Sequence, residues 1–250
     1  EHNMIPYFPL NCFKDIGPER DPIKRSVPIF DPEKVRKALF PEKSHLGKAP
    51  DFQNESELFN REKRIKCAGY GGQGVLSLGM MIALMGQLRN FNVTWLPSYG
   101  PEMRGGTANC SVVVSRDTVG SPIIDRDTNL LIAMNQQSVE KFLPELKENG
   151  MLLYDSSIIS RPQCAKDKKV CSIKAADIAK ELGDIKYANS VILGALSVAM
   201  IDHYLQGDDK KDFDLAFEEA IITCFKDKKE AITLNLKAFY EGKKNVKEEQ

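Results

Sequence analysis

The stretch Gly69-Tyr70-Gly71-Gly72-Gln73-Gly74 stands between a short apolar run, Ile65 to Ala68, and a helix-length segment, Gly74 to Leu88, that is apolar on nearly every side. No other feature constrains the fold as tightly. A strand that ends in glycines and turns straight into a helix lays that helix back on its own sheet, and a helix without a polar face must be covered on most sides. Gly79, Ala83 and Gly86 let this helix press closely onto strands. Glycine tolerates positive φ and close approach, and the first amides of the following helix point at whatever occupies the turn. A phosphate, carboxylate or carbonyl oxygen is the expected guest. The alternative is that the glycines only pack the helix on the sheet.

Beyond that helix the pattern keeps alternating. Val93 to Leu96 reads as a strand, Pro97 to Gly106 as a loop, Ala108 to Ser115 as a strand and Pro122 to Asp125 as a short extended piece. Leu130 to Met134 has the continuous apolar character of a buried parallel strand. Gln136 to Lys147 reads as a helix ended by Asn149-Gly150, and Met151 to Tyr154 as a strand closed by Asp155-Ser156-Ser157. Lys169 to Ile173 is a predicted strand. Predicted helices follow over Ala175 to Leu182, Asn189 to Leu205, Phe213 to Phe225 and Lys229 to Tyr240, before a charged tail expected to fray. Such βα alternation predicts a three-layer α/β/α sandwich with a mostly parallel sheet. The segment Ala108 to Ser115 follows without an intervening helix, which makes the sheet mixed.

Residues 1–64 differ in kind. Eight of the 13 prolines fall there, so long helices and central strands are excluded. Asp31 to Phe40 predicts one short helix, with Asp31 as N-cap and Pro32 in the first turn, and Asn54 to Lys63 a second, charged piece. Tyr7, Phe8, Leu10, Phe13, Ile29 and Phe30 give the stretch more apolar surface than a solvated tail carries. The expectation is a Pro-rich N-terminal arm laid over a surface, its own or a partner's, followed by an α/β domain over 65–250.

Composition narrows the function. Lys+Arg and Asp+Glu are both 35, so the chain lacks the basic footprint of a nucleic-acid or anionic-membrane binder. The longest apolar run, Val191 to Ile201, falls far short of the ~20 residues that span a bilayer. The six cysteines, Cys12, Cys67, Cys110, Cys164, Cys171 and Cys224, include no C-x-x-C pair. The expected setting is a reducing cytoplasm, with no metal or iron–sulfur cluster bound by this chain alone. No catalytic acid or base stands out: Asp125, Asp127 and Asp155 suit loops and caps, and the three histidines lie far apart.

The 69–74 stretch matches the spacing of the dinucleotide fingerprint, which also requires an acid at the end of the next strand to hold the ribose. Leu88 to Leu96 contains none; the first acid is Glu102. A second constellation begins at the end of the second strand: Trp95-Leu96-Pro97-Ser98-Tyr99-Gly100-Pro101-Glu102-Met103-Arg104-Gly105-Gly106-Thr107-Ala108-Asn109-Cys110. That rim is where α/β domains bind ligands. Tyr99, Glu102 and Arg104 supply its polar groups, and the Arg104 guanidinium suits a carboxylate or phosphate. An ion pair with Glu102 inside the loop is the alternative.

These two segments together resemble the gamma subunit, or gamma domain, of 2-oxoacid:ferredoxin oxidoreductases. Gly120-Ser121-Pro122, Met134-Asn135-Gln136, Asp155-Ser156-Ser157 and Asn189 ahead of Leu193-Gly194-Ala195 follow in the family's order, over about residues 65 to 240. Residues 1–64 depart from the usual gamma chain. Where the pyruvate branch shows Arg-Arg-Gly-Ala, this chain has Met103-Arg104-Gly105-Gly106, which is more similar to the 2-oxoglutarate and ketoisovalerate branch.

The resemblance implies a subunit, inactive alone, in a complex that converts a 2-oxoacid, coenzyme A and oxidised ferredoxin to acyl-CoA, carbon dioxide and reduced ferredoxin. Thiamine diphosphate with magnesium and 4Fe-4S clusters belong to alpha, beta and ferredoxin-like partner subunits. On this chain the coenzyme A, anion or interface candidates are Gly69, Gly71, Gly72, Gln73, Gly74, Tyr99, Glu102, Arg104, Asn109, Asn135 and Asn189. A free-standing nucleotide-dependent dehydrogenase, a non-catalytic scaffold subunit and an aryl-oxoacid enzyme such as the indolepyruvate type are the competing readings.

Overall fold

A computed structural model of the chain describes residues 62–99, 107–163, 168–204 and 209–249. The predicted helices at Asp31–Phe40 and Asn54–Lys63 lie outside these residues, except that Lys63 opens the first strand. In chain order the elements are β1 (Lys63–Tyr70), α1 (Val75–Leu88), β2 (Asn92–Tyr99), β3 (Thr107–Ser115), β4 (Thr128–Ala133), α2 (Gln136–Phe142) and β5 (Leu146–Asp155). Then come β6 (Lys169–Ile173), α3 (Ala175–Glu181), α4 (Ala188–Tyr204), α5 (Asp209–Cys224), α6 (Lys229–Asn245) and β7 (Lys247–Glu249).

The seven strands form one sheet in the order β2-β3-β1-β4-β5-β6-β7. β1, β4, β5 and β6 pair in parallel, while β3 runs antiparallel between β1 and β2 and β7 antiparallel to β6. The sheet is therefore mixed and mostly parallel in direction, as the missing helix before Ala108 predicted. β1 crosses through α1 toward one edge, and β4 crosses through α2 toward the other. Right-handed crossovers in opposite directions put their helices on opposite faces.

The two faces are unequal. Ile65, Cys67, Cys110, Val112 and Ile132 look into a large core with α1, α4, α5 and α6. In α1, Val75, Leu78, Met81, Ile82 and Met85 are buried, each contributing roughly 1.5–3 kcal/mol relative to exposure. The other face carries a smaller core of Ala68, Leu131, Leu152, Val139 and Phe142 under α2. Beside it the 116–127 loop is tied down by Lys66, whose Nζ donates to Ser111 Oγ at 3.1 Å and to the Ile124 carbonyl at 2.9 Å. Burial pushes the Lys66 amine below its usual range. Among the described residues no helix is long and apolar enough to cross a membrane.

Three sequence expectations are corrected. The helix expected over Gln136 to Lys147 stops at Phe142, because Pro144 has no N–H for the next helical bond; Leu143–Glu145 tighten into a 3₁₀ turn. Asn149-Gly150 does not end a helix but lies inside β5, where Asn149 takes φ 57 beside a slip in register between Thr128 and Leu130. The tail expected to fray instead adds β7 to the sheet edge, where Tyr154 Oη donates to Glu249 at 2.7 Å and Lys169 pairs with Glu248 at 3.3 Å. Pro122 to Asp125, expected as a short extended piece, pairs with no described strand.

Helices α4 and α6 cross at two glycines. A Cβ on Gly194 would fall on the Phe239 carbonyl, and one on Gly242 on the Val191 carbonyl. Backbone touches backbone there, and no rotamer change can make room. Gly194→Ala and Gly242→Ala should each destabilise the chain by about 1–3 kcal/mol or more. Gly120→Ala, at a site with nothing within 4 Å of the new Cβ, should stay within about 0.5 kcal/mol of wild type. Urea unfolding of the three variants measures the contrast.

Candidate ligand site at the switch point of the sheet

The carboxyl ends of β1 and β4 are neighbours whose chains leave in opposite directions, which opens a crevice between them. The glycine-rich turn lies over it. Gly72 and Gly74 take φ 94 and 78, a region other L-residues rarely enter, and Gly74 is the left-handed N-cap of α1. That cap supplies no side-chain acceptor, so the first amides of α1 keep their donating capacity.

Gln73 folds back into the crevice. Its Oε1 accepts the Tyr70 N–H at 2.6 Å, and its Nε2 donates to the Met134 carbonyl at 3.0 Å. One amide therefore joins the end of β1 to the end of β4. Gly69 leaves room for it, since a Cβ there would stand 2.7 Å from Gln73 Oε1 and 3.0 Å from Met134 Cβ. Further out, Tyr70 Oη donates to Gln137 Oε1. The Gln73 side chain thus occupies the space beside the end of β1, and Leu88 to Leu96 supplies no ribose-binding acid.

Asn189 and Asn135 flank this brace. Asn189, 4% exposed, opens α4; its Oδ1 accepts the Ser190 N–H at 2.8 Å. Its Nδ2 lies 2.8 Å from where a Gly74 Cβ would stand, so the amide group of Asn189 abuts the N-cap of α1. Asn135 caps α2 by accepting the Ser138 N–H at 2.8 Å, and its buried Nδ2 has no hydrogen-bond partner among the described residues. Asn109 is half-buried one row below the rim, paired with Ala68 and Ser98 and directed to the α2 side of the sheet. Tyr99 closes β2 opposite Ala108. Glu102 and Arg104 lie outside the described residues, between strand ends that both meet this rim.

The structure thus brings Gly69, Gln73, Gly74 and Asn189 together, sets Asn135 beside them, and directs Asn109 to the other face. Sequence reasoning did not single out Gln137, although Asn135-Gln136-Gln137 after a strand carries an N-cap signal. Asp155, expected to be a cap, accepts N–H groups of Ser157, Ala175 and Ala176 at 3.0, 3.0 and 3.1 Å and so ties β5 to the start of α3. Burial raises its carboxyl above the ordinary range in spite of those bonds. An open cleft of about 800 Å³ lies elsewhere, between α3, α6 and β7; Lys174, Asp177, Glu181, Glu241 and Lys247 give its lining both signs of charge. Among the described residues no three His, Cys, Asp or Glu side chains converge.

A doubly wound α/β domain with a braced, glycine-rich switch point is what these features define. Residues 64–244 match the profile of the pyruvate ferredoxin/flavodoxin oxidoreductase family, and the chain belongs to that family. The ketoisovalerate oxidoreductase subunit VorA of Methanothermobacter marburgensis is 35% identical over 235 residues, covering 94% of this chain and 46% of that protein. The 2-oxoglutarate synthase subunit KorC of Methanocaldococcus jannaschii is 30% identical, covering 63% and 91%. Among solved structures, the gamma subunit of a keto/oxoacid ferredoxin oxidoreductase from Geobacter sulfurreducens superposes with a TM-score of 0.58 at 26% identity, over 74% of this chain and 96% of that one. A 2-oxoglutarate:ferredoxin oxidoreductase from Magnetococcus marinus shares the fold, with a TM-score of 0.62 at 24% identity over 74% and 31%.

The resemblance to gamma-type chains, on the ketoisovalerate and 2-oxoglutarate side, is therefore borne out. The chain spans about half the length of the VorA relatives. The match to the M. marburgensis protein takes in 235 of the 250 residues, so it runs through most of residues 1–64.

Two outcomes test the geometry. Gln73→Ala leaves the Tyr70 N–H and the Met134 carbonyl unpaired and should cost about 1–3 kcal/mol, with faster amide exchange at Tyr70. At Asp155 the native carboxyl titrates above the unfolded value of 3.8, so its contribution to stability falls as pH rises through the window between the two. The stability of wild type minus that of Asp155→Asn, from urea titrations across that window, should decline with pH and then level off.

Proposed function

We propose that this chain is the gamma-type part of a 2-oxoacid:ferredoxin oxidoreductase, in which a 2-oxoacid, coenzyme A and oxidised ferredoxin give acyl-CoA, carbon dioxide and reduced ferredoxin. The observation that carries this reading is the family match over residues 64–244, which contains the whole of the braced switch point. Thiamine diphosphate, when bound in such an enzyme, supplies the carbanion chemistry, and iron–sulfur clusters take the electrons one at a time. Both groups, with magnesium, are assigned to alpha, beta and ferredoxin-like partners, as the family resemblance implies. The working compartment is the cytoplasm.

This chain's own part is to complete the assembly and line the approach of coenzyme A. The uncapped amides of α1 and the amide of Asn189 are neutral donors facing one rim, suited to the oxygens of a diphosphate. Arg104, on the segment joining β2 to β3, adds the positive charge at that rim. Gln73 holds the turn in the shape that presents those donors, and Tyr99, Glu102 and Asn135 support the rim. Residues 1–64 form a subunit-contacting arm. In support of this, the match to the long ketoisovalerate relative runs through most of that stretch, whereas the shorter 2-oxoglutarate relatives cover 56% and 63% of this chain.

The complex should co-purify from its native source with thiamine- and cluster-bearing subunits. A panel of 2-oxoacids assayed with coenzyme A and a viologen identifies the substrate; branched-chain 2-oxoacids or 2-oxoglutarate are expected to outrun pyruvate. In that complex Arg104→Ala should raise the Michaelis constant for coenzyme A by about 10-fold or more, as loss of a charged contact of about 1.5–3 kcal/mol would. An unchanged constant and unchanged turnover would sink the role of Arg104. Isolation of the chain alone, binding NAD(H), would favour the dehydrogenase reading instead.

A further inference from the structure

Cys67 on β1 and Cys110 on β3 stand directly opposite one another in the antiparallel ladder. Both face the larger core, and both are 0% exposed. The Cys67 thiol is hydrogen-bonded to Cys110. The Cys110 thiol in turn donates to the Val75 carbonyl at 3.6 Å, in the first turn of α1. Gly79 makes the space for this sulfur: a Cβ there would fall on Cys110 Sγ. Opposed residues of antiparallel strands have Cα atoms about 4.5–5.5 Å apart. A disulfide accepts Cα separations of about 4.4–6.8 Å. Cys171 lies on β6, three strands from β1, and Cys224 ends α5, so among the described cysteines only Cys67 and Cys110 share a ladder position.

We propose that Cys67 and Cys110 are a dithiol modification site, which a peroxide-class oxidant closes to a disulfide that pins β1 to β3 beneath the glycine-rich turn. On opening, one thiol loses its proton and attacks the peroxide as the thiolate, becoming a sulfenic acid, and that proton leaves in the water released. The second thiol then attacks that sulfur, the S–S bond forms, and a second water leaves. The peroxide takes up the two electrons, and the two thiol protons leave in the two waters. Burial and the bond to its neighbour hold the Cys67 thiol protonated. The pair is therefore closed to bulky thiol reagents, and a small peroxide reaches it through local opening of the fold.

Closure changes the site above it. The pair lies two rows below Gly69↔Ala108, where the turn begins. A Cys110 sulfur in a disulfide has no proton to give the Val75 carbonyl, so the first turn of α1 loses one of its holds. Oxidation thus fixes the strands under the turn and loosens the helix start beside it. This holds whichever 2-oxoacid the complex uses.

The test treats the folded, fully reduced chain with hydrogen peroxide, blocks remaining thiols after acid unfolding, and maps the linked peptides by mass. The expected result is a Cys67–Cys110 peptide pair lighter by two hydrogen atoms, loss of two of the six thiols, and full reversal by a thiol reductant. Amide exchange at Val75 to Leu78 should speed up on oxidation and return on reduction. Cys67→Ser and Cys110→Ser should each abolish the linked pair and the exchange change. Recovery of Cys67 and Cys110 as free thiols, as separate sulfinic acids, or linked to other cysteines would overturn the proposal. Mapping is done on the wild-type chain, so a variant that fails to fold leaves the result readable.

Discussion

Where two parallel strands send their crossovers in opposite directions, no helix covers the gap between their carboxyl ends, and something else must satisfy the backbone groups there. In this protein the side chain of Gln73 does so. Its oxygen takes the last N–H of β1, and its nitrogen reaches the carbonyl that follows β4. The conformation of the turn follows from that contact, because a chain folding back on itself within four residues needs positive φ at Gly72 and Gly74. The start of α1 and the closeness of Asn189 follow from the turn.

The brace also sets this turn apart from the glycine pattern of dinucleotide-binding domains, whose spacing it shares. In those domains the crevice is left open for a diphosphate. Here a neutral amide lies between the ends of β1 and β4, and the start of α1 and Asn189 border it.

Much of this architecture was legible in the sequence. The strand–turn–helix unit, the all-round apolar α1 and the mixed sheet could be read because burial on both sides leaves continuous apolar runs, as in Leu130 to Met134. What was not legible depended on partners distant in sequence. Nothing in Lys247-Glu248-Glu249 says strand; the segment becomes one because β6 presents a free edge and Tyr154 and Lys169 meet its carboxylates. Asn149-Gly150 carries a helix-stop signal that the earlier Pro144 had already made redundant. In the site, the glycines and Asn189 could be singled out as a group, whereas the double use of the Gln73 amide required the Met134 carbonyl, 61 residues on. Gln73 accordingly reads from sequence as a ligand donor and from structure as a brace.

The glycine crossing of α4 and α6 reaches as far as that site. Helices that touch through side chains can slide by changing rotamers, but Gly194 and Gly242 put peptide against peptide and remove that freedom. The two helices are therefore held as one unit at the crossing, and Asn189 lies less than two turns of α4 from it, so the closeness of its amide to Gly74 is fixed from the far side of the core as well as from the turn.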